Sequence, residues 1–155
     1  MSDLARRAAD AIAVSGWRHE TPADAATGEL RWVLDRPDEP LGHPVVLVVH
    51  EVASTLTCHS VLKARVAEVH RTATMELVTR ANYGLLEGRF EMDLDDGEVR
   101  FTTSAHVVGD ADVGGALHHL VAFNLAVFAV YSASLEAVAS GAVPARAAIA
   151  WVEQG

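Results

Sequence analysis

A chain of 155 residues, half of them apolar and 21% charged, carries enough hydrophobic material for one packed core and too little charge for a disordered polymer, so a single domain over 1–155 is expected. Twenty-one acidic against twelve basic side chains leave a formal charge of −9, which opposes phosphate backbones and anionic lipid and argues against nucleic acid and membrane as partners. The one thiol, Cys58, can neither close an internal disulfide nor build a thiolate zinc cage, and no apolar stretch before Trp17 could serve as a secretion signal, so a cytoplasmic location is expected.

Ser2 or Asp3 can cap a first helix whose Leu4, Ala8 and Ile12 recur every four residues, with Gly16 placed for a left-handed carboxyl-terminal cap. A turn-rich stretch around Thr21-Pro22 leads to a weakly alternating strand, Leu30 to Leu34, and then to a loop marked by Pro37, Pro40, Gly42 and Pro44. The run Val45 to Val49 is apolar throughout and β-branched at four of five positions, the pattern of an interior strand covered on at least part of both faces; its partner is placed at Thr55 to Val61. Were Ser54-Thr55 the connecting loop, His50 would face His59 and Glu51 would face Cys58, with the two pairs on opposite sides of the sheet, but Ser-Thr is a poor two-residue turn.

From Val66 to Ala81, Val66, Val69, Ala73 and Leu77 recur at helical steps and predict a surface helix with one buried stripe. Asp96-Gly97 then separates two alternating runs between Leu86 and Val107 and predicts a two-residue hairpin turn. In that register Asp95 faces Glu98, Leu94 faces Val99, Asp93 faces Arg100, Met92 faces Phe101 and Phe90 faces Thr103. Phe90, Met92, Leu94, Val99 and Phe101 would share one face and the charges the other. Asp112 can cap a long last helix from about Gly115 to Ser140, stopped by Gly141 and Pro144, and the tail 145–155 can add a short one. Together these elements predict an α+β domain, an antiparallel sheet with helices packed on one face.

The long helix has more apolar surface than one contact uses. Leu117, Leu120, Val121, Phe128, Tyr131, Leu135 and Val138 form one stripe with Asn124 inside it; Phe123, Val127 and Val130 lie roughly 120° round, beside Ala126, Ala133 and Ala137. Either the first helix or the tail covers this second stripe, or it meets another chain; Phe123, Val127 and Val130 are therefore the candidate dimer or partner contact. Its longest apolar tract, Leu120 to Tyr131, is broken by Asn124 and falls short of the roughly 20 residues that span a bilayer.

Chemical motifs are scarce. His118 and His119 point about 100° apart on a helix and no His-x-x-x-His pattern occurs, so no metal site is expected. There is no Gly-x-Ser-x-Gly elbow and no phosphate-binding glycine loop; Cys58 reads as a small strand residue, and Glu91, Asp93 and Asp95 read as a solvated sheet face opposite Arg100. No catalytic residue and no cofactor are assigned. The alternative is a small hydrolase or metal-dependent enzyme using the histidines and carboxylates, which would require metal in the untagged protein and a concave pocket lined by such groups.

The segment Asn82-Tyr83, Gly88-Arg89-Phe90-Glu91-Met92-Asp93, Asp96-Gly97-Glu98-Val99-Arg100-Phe101, followed by a long helix with an internal Asn124, resembles the YbjN family. The likeness covers about 65–141 closely and the first 64 residues in order of elements. It implies a fold like that of the type III secretion chaperones, small acidic α+β proteins that dimerise and hold extended segments of other proteins. It further implies a sensory transduction regulator or peptide-binding chaperone without catalytic residues. Asn82, Gly88, Phe90 and the pair Asp96 and Gly97 read physically as a helix end, a strand bend, a core anchor and a turn. The expected activity is that of a non-enzymatic, dimeric module that binds a protein or peptide segment.

Overall fold

The computed structural model describes residues 3–19, 23–24, 29–36, 41–109 and 111–154. In chain order the elements are α1 (Asp3–Val14), β1 (Arg18–His19), β2 (Ala23–Asp24), β3 (Glu29–Asp35), β4 (Val45–His50), β5 (Thr55–Val61), α2 (Glu68–Gly84), β6 (Arg89–Met92), β7 (Val99–His106), α3 (Val113–Ala139) and α4 (Ala145–Gln154). The strands form one antiparallel sheet in the order β1-β3-β4-β5-β7-β6, with β2 also pairing β3. Ser2, Thr21, Pro22, Pro37 and Pro40 lie outside the described residues.

The helices cover one face of this sheet. Trp32 and Leu34 of β3, Val45, Leu47 and Val49 of β4, Leu56 and Cys58 of β5 and Phe90, Val99 and Phe101 of β6 and β7 are all buried there, as period-two alternation requires. Two apolar clusters share the covering layer. One joins α1 to β3, β4 and the amino-terminal half of α3 through Ile12, Trp32, Leu47 and Leu117. The other joins α2, β6, β7 and α4 to the rest of α3 through Leu77, Phe90, Phe101, Phe128 and Ile149. Because α3 runs through both, its predicted stripe is buried as expected, with Asn124 inside it and Tyr131 partly covered.

Local signals at the helix ends hold. The Asp112 carboxylate accepts from the Gly115 N–H at 3.0 Å and caps α3. At its far end Gly141 (φ +77°) lets the Ala142 N–H reach back to the Ala137 carbonyl at 2.9 Å, a Schellman closure. Gly16, at φ +78°, follows α1 as predicted.

Three expectations need correction, and the Ser54-Thr55 turn, already disfavoured by its residues, is absent from the β4–β5 connection. The Asp96-Gly97 hairpin is shifted by two residues: Met92 pairs Val99, Glu91 pairs Arg100 and Phe90 pairs Phe101. Its loop is Leu94 to Gly97, because Gly97 is held at φ +79° against the chain before α2, where its carbonyl accepts from the Val66 N–H at 2.8 Å; a Cβ at Gly97 would collide with the Val66 backbone. A shift of two keeps every side chain on its face, so Leu94 and Asp95 leave the strand for the exposed loop while the Asp93 N–H still bonds the Glu98 carbonyl at 2.8 Å. The β4–β5 loop is likewise four residues, Glu51 to Ser54, so His50 pairs Thr55 and His59 pairs Val46. In α2 the buried residues are Thr74, Leu77, Val78 and Ala81 while Val69 is exposed, since Val66 docks ahead of the helix and rotates the covered stripe. Finally, α3 at 27 residues is long and apolar enough to pass the length and composition test of a membrane span; its alanines, glycines and serines dilute hydropathy too little to fail it. In this fold that helix packs on α1, α2, α4, β5 and β7.

Candidate functional site

Among the described residues no helix covers the sheet's other face, which carries a groove of about 400 Å³. Val46, Val48 and Val61 give it an apolar floor, and Glu29, Arg31, His50, Thr57, His59, Arg89, Arg100 and Thr102 stand on that floor from five strands. Val48 is almost wholly covered by these longer neighbours, which is why β4 is apolar at alternate positions on both faces.

The polar side chains form a continuous row. Glu29 Oε1 meets His50 Nδ1 at 3.1 Å, and His50 Nε2 meets Thr57 Oγ1 at 3.0 Å. Thr57 Oγ1 lies 3.4 Å from His59 Nε2, and His59 Nδ1 lies 2.9 Å from Thr102 Oγ1. Thr102 donates to Glu91 Oε2 at 3.0 Å, and Glu91 also accepts from Arg100 Nε at 2.7 Å and Arg89 Nε at 2.6 Å. At the opposite end Arg31 donates to Glu29 Oε2 at 2.9 Å. Every long strand contributes at least one member.

Environment sets the charges. Burial, helped by the Arg100 charge, pushes the His59 imidazole down to about 4, so it is neutral at pH 7. Glu91 is raised by burial, but hydrogen bonds from Arg100 and Thr102 outweigh that and hold it below the usual carboxylate range. At the exposed end, the Arg31 hydrogen bond does the same for Glu29. On the covered face, burial pushes the Cys58 thiol up to about 12, so it is a neutral thiol at pH 7. Among the described residues no trio of His, Cys, Asp or Glu is placed to hold a metal ion.

The sheet edges differ in how they are closed. β1 and β2 pair the outer side of β3. On the other side Asn82, at the end of α2, receives the Phe90 N–H on Oδ1 at 2.7 Å and donates Nδ2 to the Phe90 carbonyl at 2.9 Å. A single carboxamide thus replaces the missing neighbour strand, a role that reading Asn82 as a helix end did not anticipate. β6 stops at Arg89, where Gly88 (φ +72°) turns the chain and a Cβ would strike the Phe101 ring, yet β7 runs on to His106. The bonds Leu62 N–H to Val99 C=O and Val107 N–H to Ser54 C=O direct the odd-numbered main-chain groups of β7 toward β5. By alternation those of Ser104 and His106 face the side that β6 has left, and among the described residues no strand pairs them there.

The three residues read from the sequence as a contact surface lie apart from the groove, on α3. Phe123 and Val127 are half-buried against the second cluster, with the His119 ring stacked 6.1 Å from Phe123, and Val130 is 60% exposed. Ala122, Ala126, Ala129 and Ala133 are exposed beside it. Of the groove, the sequence reading singled out only His50, His59, Glu91 and Arg100; Glu29, Arg31, Thr57 and Thr102 were missed, although polar residues at alternate positions of β3, β5 and β7 were a signal for them.

An antiparallel sheet with helices on one face and a hydrogen-bonded polar groove on the other defines a class of small, open-faced α+β domain. Residues 9–136 match the family model YbjN, described as "Putative bacterial sensory transduction regulator". The chain belongs to the YbjN family. No curated protein and no solved structure matches it.

Proposed function

We propose that the protein is a non-enzymatic regulatory module, cytoplasmic and dimeric, that holds an extended segment of another protein along the free edge of β7. The observation carrying this reading is the main chain of Ser104 and His106, which no described strand pairs, beside an edge, β6, that Asn82 has closed. An incoming strand gains hydrogen bonds only where that edge is open. The family's description as a regulator supports a signalling rather than a metabolic role. The exposed part of α3, with Val130 and the half-buried Phe123 and Val127, supplies the subunit contact.

Two measurements test it. Ser104→Pro removes an edge N–H that no strand uses internally, so the variant stays folded and loses binding to an array of extended peptides that the wild type retains; equal binding by both, or none by the wild type, overturns the edge assignment. A folded Phe123→Glu/Val130→Glu variant with the wild-type molar mass in light scattering removes α3 from the contact.

A second reading has one observation in its favour. Glu29, His50 and Thr57 stand in the order and spacing of a carboxylate, base and hydroxyl relay, inside a concave groove. Hydrolysis by this relay also needs donors for an oxyanion. Thr57 sits on β5, whose backbone is paired by β4 and β7 on both sides, so its own N–H and those of its neighbours are committed to the ladder. Its hydroxyl is also shared with His59. Turnover of an activated ester that disappears in His50→Gln would reinstate the enzyme reading.

A further inference from the structure

Two arginines meet one carboxylate at the β6–β7 side of the groove. Arg89 and Arg100 both bond Glu91 through Nε, at 2.6 Å and 2.7 Å, so each guanidinium uses its side edge there and keeps its terminal pair of nitrogens. Arg100 Nη1 lies 3.9 Å from Glu98 Oε1, beyond hydrogen-bond length, and Glu98 itself bonds Arg65. Among the described residues no acceptor hydrogen-bonds either terminal fork. A second group in the groove has no partner of its own. The four short links of the polar row, Glu29 to His50, His50 to Thr57, His59 to Thr102 and Thr102 to Glu91, take one hydrogen each, and two neutral imidazoles and two hydroxyls supply them. His59 gives its hydrogen to Thr102 from Nδ1. Its Nε2 is an acceptor whose neighbouring hydroxyl, Thr57 at 3.4 Å, has given its hydrogen to the nearer His50. We propose that the outer sheet face binds a small organic acid, its carboxylate on the terminal forks of Arg89 and Arg100, its hydroxyl donating to His59 Nε2 and its hydrocarbon chain on Val46, Val48 and Val61.

Each part of that ligand answers a feature of the groove. A carboxylate has the planar, two-oxygen shape that a guanidinium fork bonds bidentately, and Glu91 holds both arginines in place before the ligand arrives. Val61 pairs Arg100 across the ladder and Val46 pairs His59, so the apolar floor begins beside both polar anchors. The row runs from His59 to Glu91 through Thr102 in links of 2.9 Å and 3.0 Å, which sets the hydroxyl several bonds from the carboxylate rather than on the adjacent carbon. Arg31, bonded to Glu29, stands on the opposite wall. At about 400 Å³ the groove is in the size range of small-molecule sites. This site is separate from the β7 edge and needs no strand bound there.

Titration calorimetry of the full chain at pH 8 with straight-chain ω-hydroxy acids of four to eight carbons tests the proposal, with the unsubstituted acids, the corresponding diols and acetate as controls. At least one hydroxy acid should bind one to one and about fivefold more tightly than its unsubstituted acid, and the diol should not bind. Arg89→Gln, a change at an exposed side chain, should keep the wild-type urea midpoint and weaken the hydroxy acid about tenfold. His59→Phe should bind hydroxy and unsubstituted acids equally, a loss of preference that a merely structural role for the ring would not produce. The proposal is overturned by unchanged affinity in Arg89→Gln, by acetate binding as tightly as the longer acids, by a wild type that does not distinguish hydroxy from unsubstituted acids, or by no saturable binding of any acid.

Discussion

The same seven strands present two faces built on different physics. On the covered face, Leu47, Cys58 and Phe101 are wholly buried beneath α1 and α3 and are held by packing. One residue along each strand, Val48, Thr57 and Thr102 look the other way into a groove where position is fixed by directed hydrogen bonds. Close packing registers even a one-methylene change of volume as lost stability. A hydrogen-bonded row depends instead on the direction of each donor, and losing one member leaves its neighbours' polar atoms unsatisfied.

Three substitutions probe this contrast. Phe101→Ala empties the centre of the second cluster beside Phe90, whose ring lies 4.7 Å away, and should lower unfolding stability by about 3–5 kcal/mol in urea titrations. Asn82→Ala acts at the border between the faces. It leaves the buried Phe90 main chain without its partner and should cost about 1–3 kcal/mol. It should also bring concentration-dependent association by light scattering, because the β6 edge becomes a pairing surface. His59→Gln acts on the outer face alone. The folded state holds His59 near 4 against an ordinary 6.5, so its contribution is complete above about pH 6.5 and is lost progressively as pH falls toward 4. The wild type should lose on the order of 1–2 kcal/mol more than the variant between pH 7 and pH 5, read from urea midpoints at the two values. Glu91, held below 4.5, adds a later loss as pH falls through its own lowered value.

Most of the covered face was legible in the sequence because it is written in periodicity. The β-branched run from Val45, the strand Thr55–Val61, the Asp112 cap and the buried stripe of α3 each rest on a local rule that tertiary structure had no reason to override. What was not legible depended on contacts between distant segments. Asp96-Gly97 announces a turn, but the four-residue loop is selected by the Val66 backbone lying against Gly97. Val69 fits the helical stripe by spacing and is exposed because the approach angle of α2 is set by Val66. His50 and His59 share a face in the observed register as they would with a Ser54-Thr55 turn, since the two registers differ by an even number of residues. That Thr57 bridges them, and that Glu29 and Glu91 terminate the row, follows only from the pairing order of five strands. Asn82 is the sharpest case: its place near a helix end was visible, and its service to a strand eight residues later was not.

Asn124 is wholly buried in α3 and extends Nδ2 to the carbonyls of Cys58 at 2.9 Å and Phe101 at 3.1 Å and to the Thr103 hydroxyl at 3.1 Å. Sliding the helix by one turn, about 5.4 Å, would unseat the buried Leu117, Phe128 and Leu135 and carry Asn124 away from all three acceptors. That displacement strands an amide against side chains that cannot bond it, a penalty of several kcal/mol. One polar atom thus helps index the helix along the sheet: the hydrophobic residues make α3 adhere, and Asn124 adds its bonds at one notch alone.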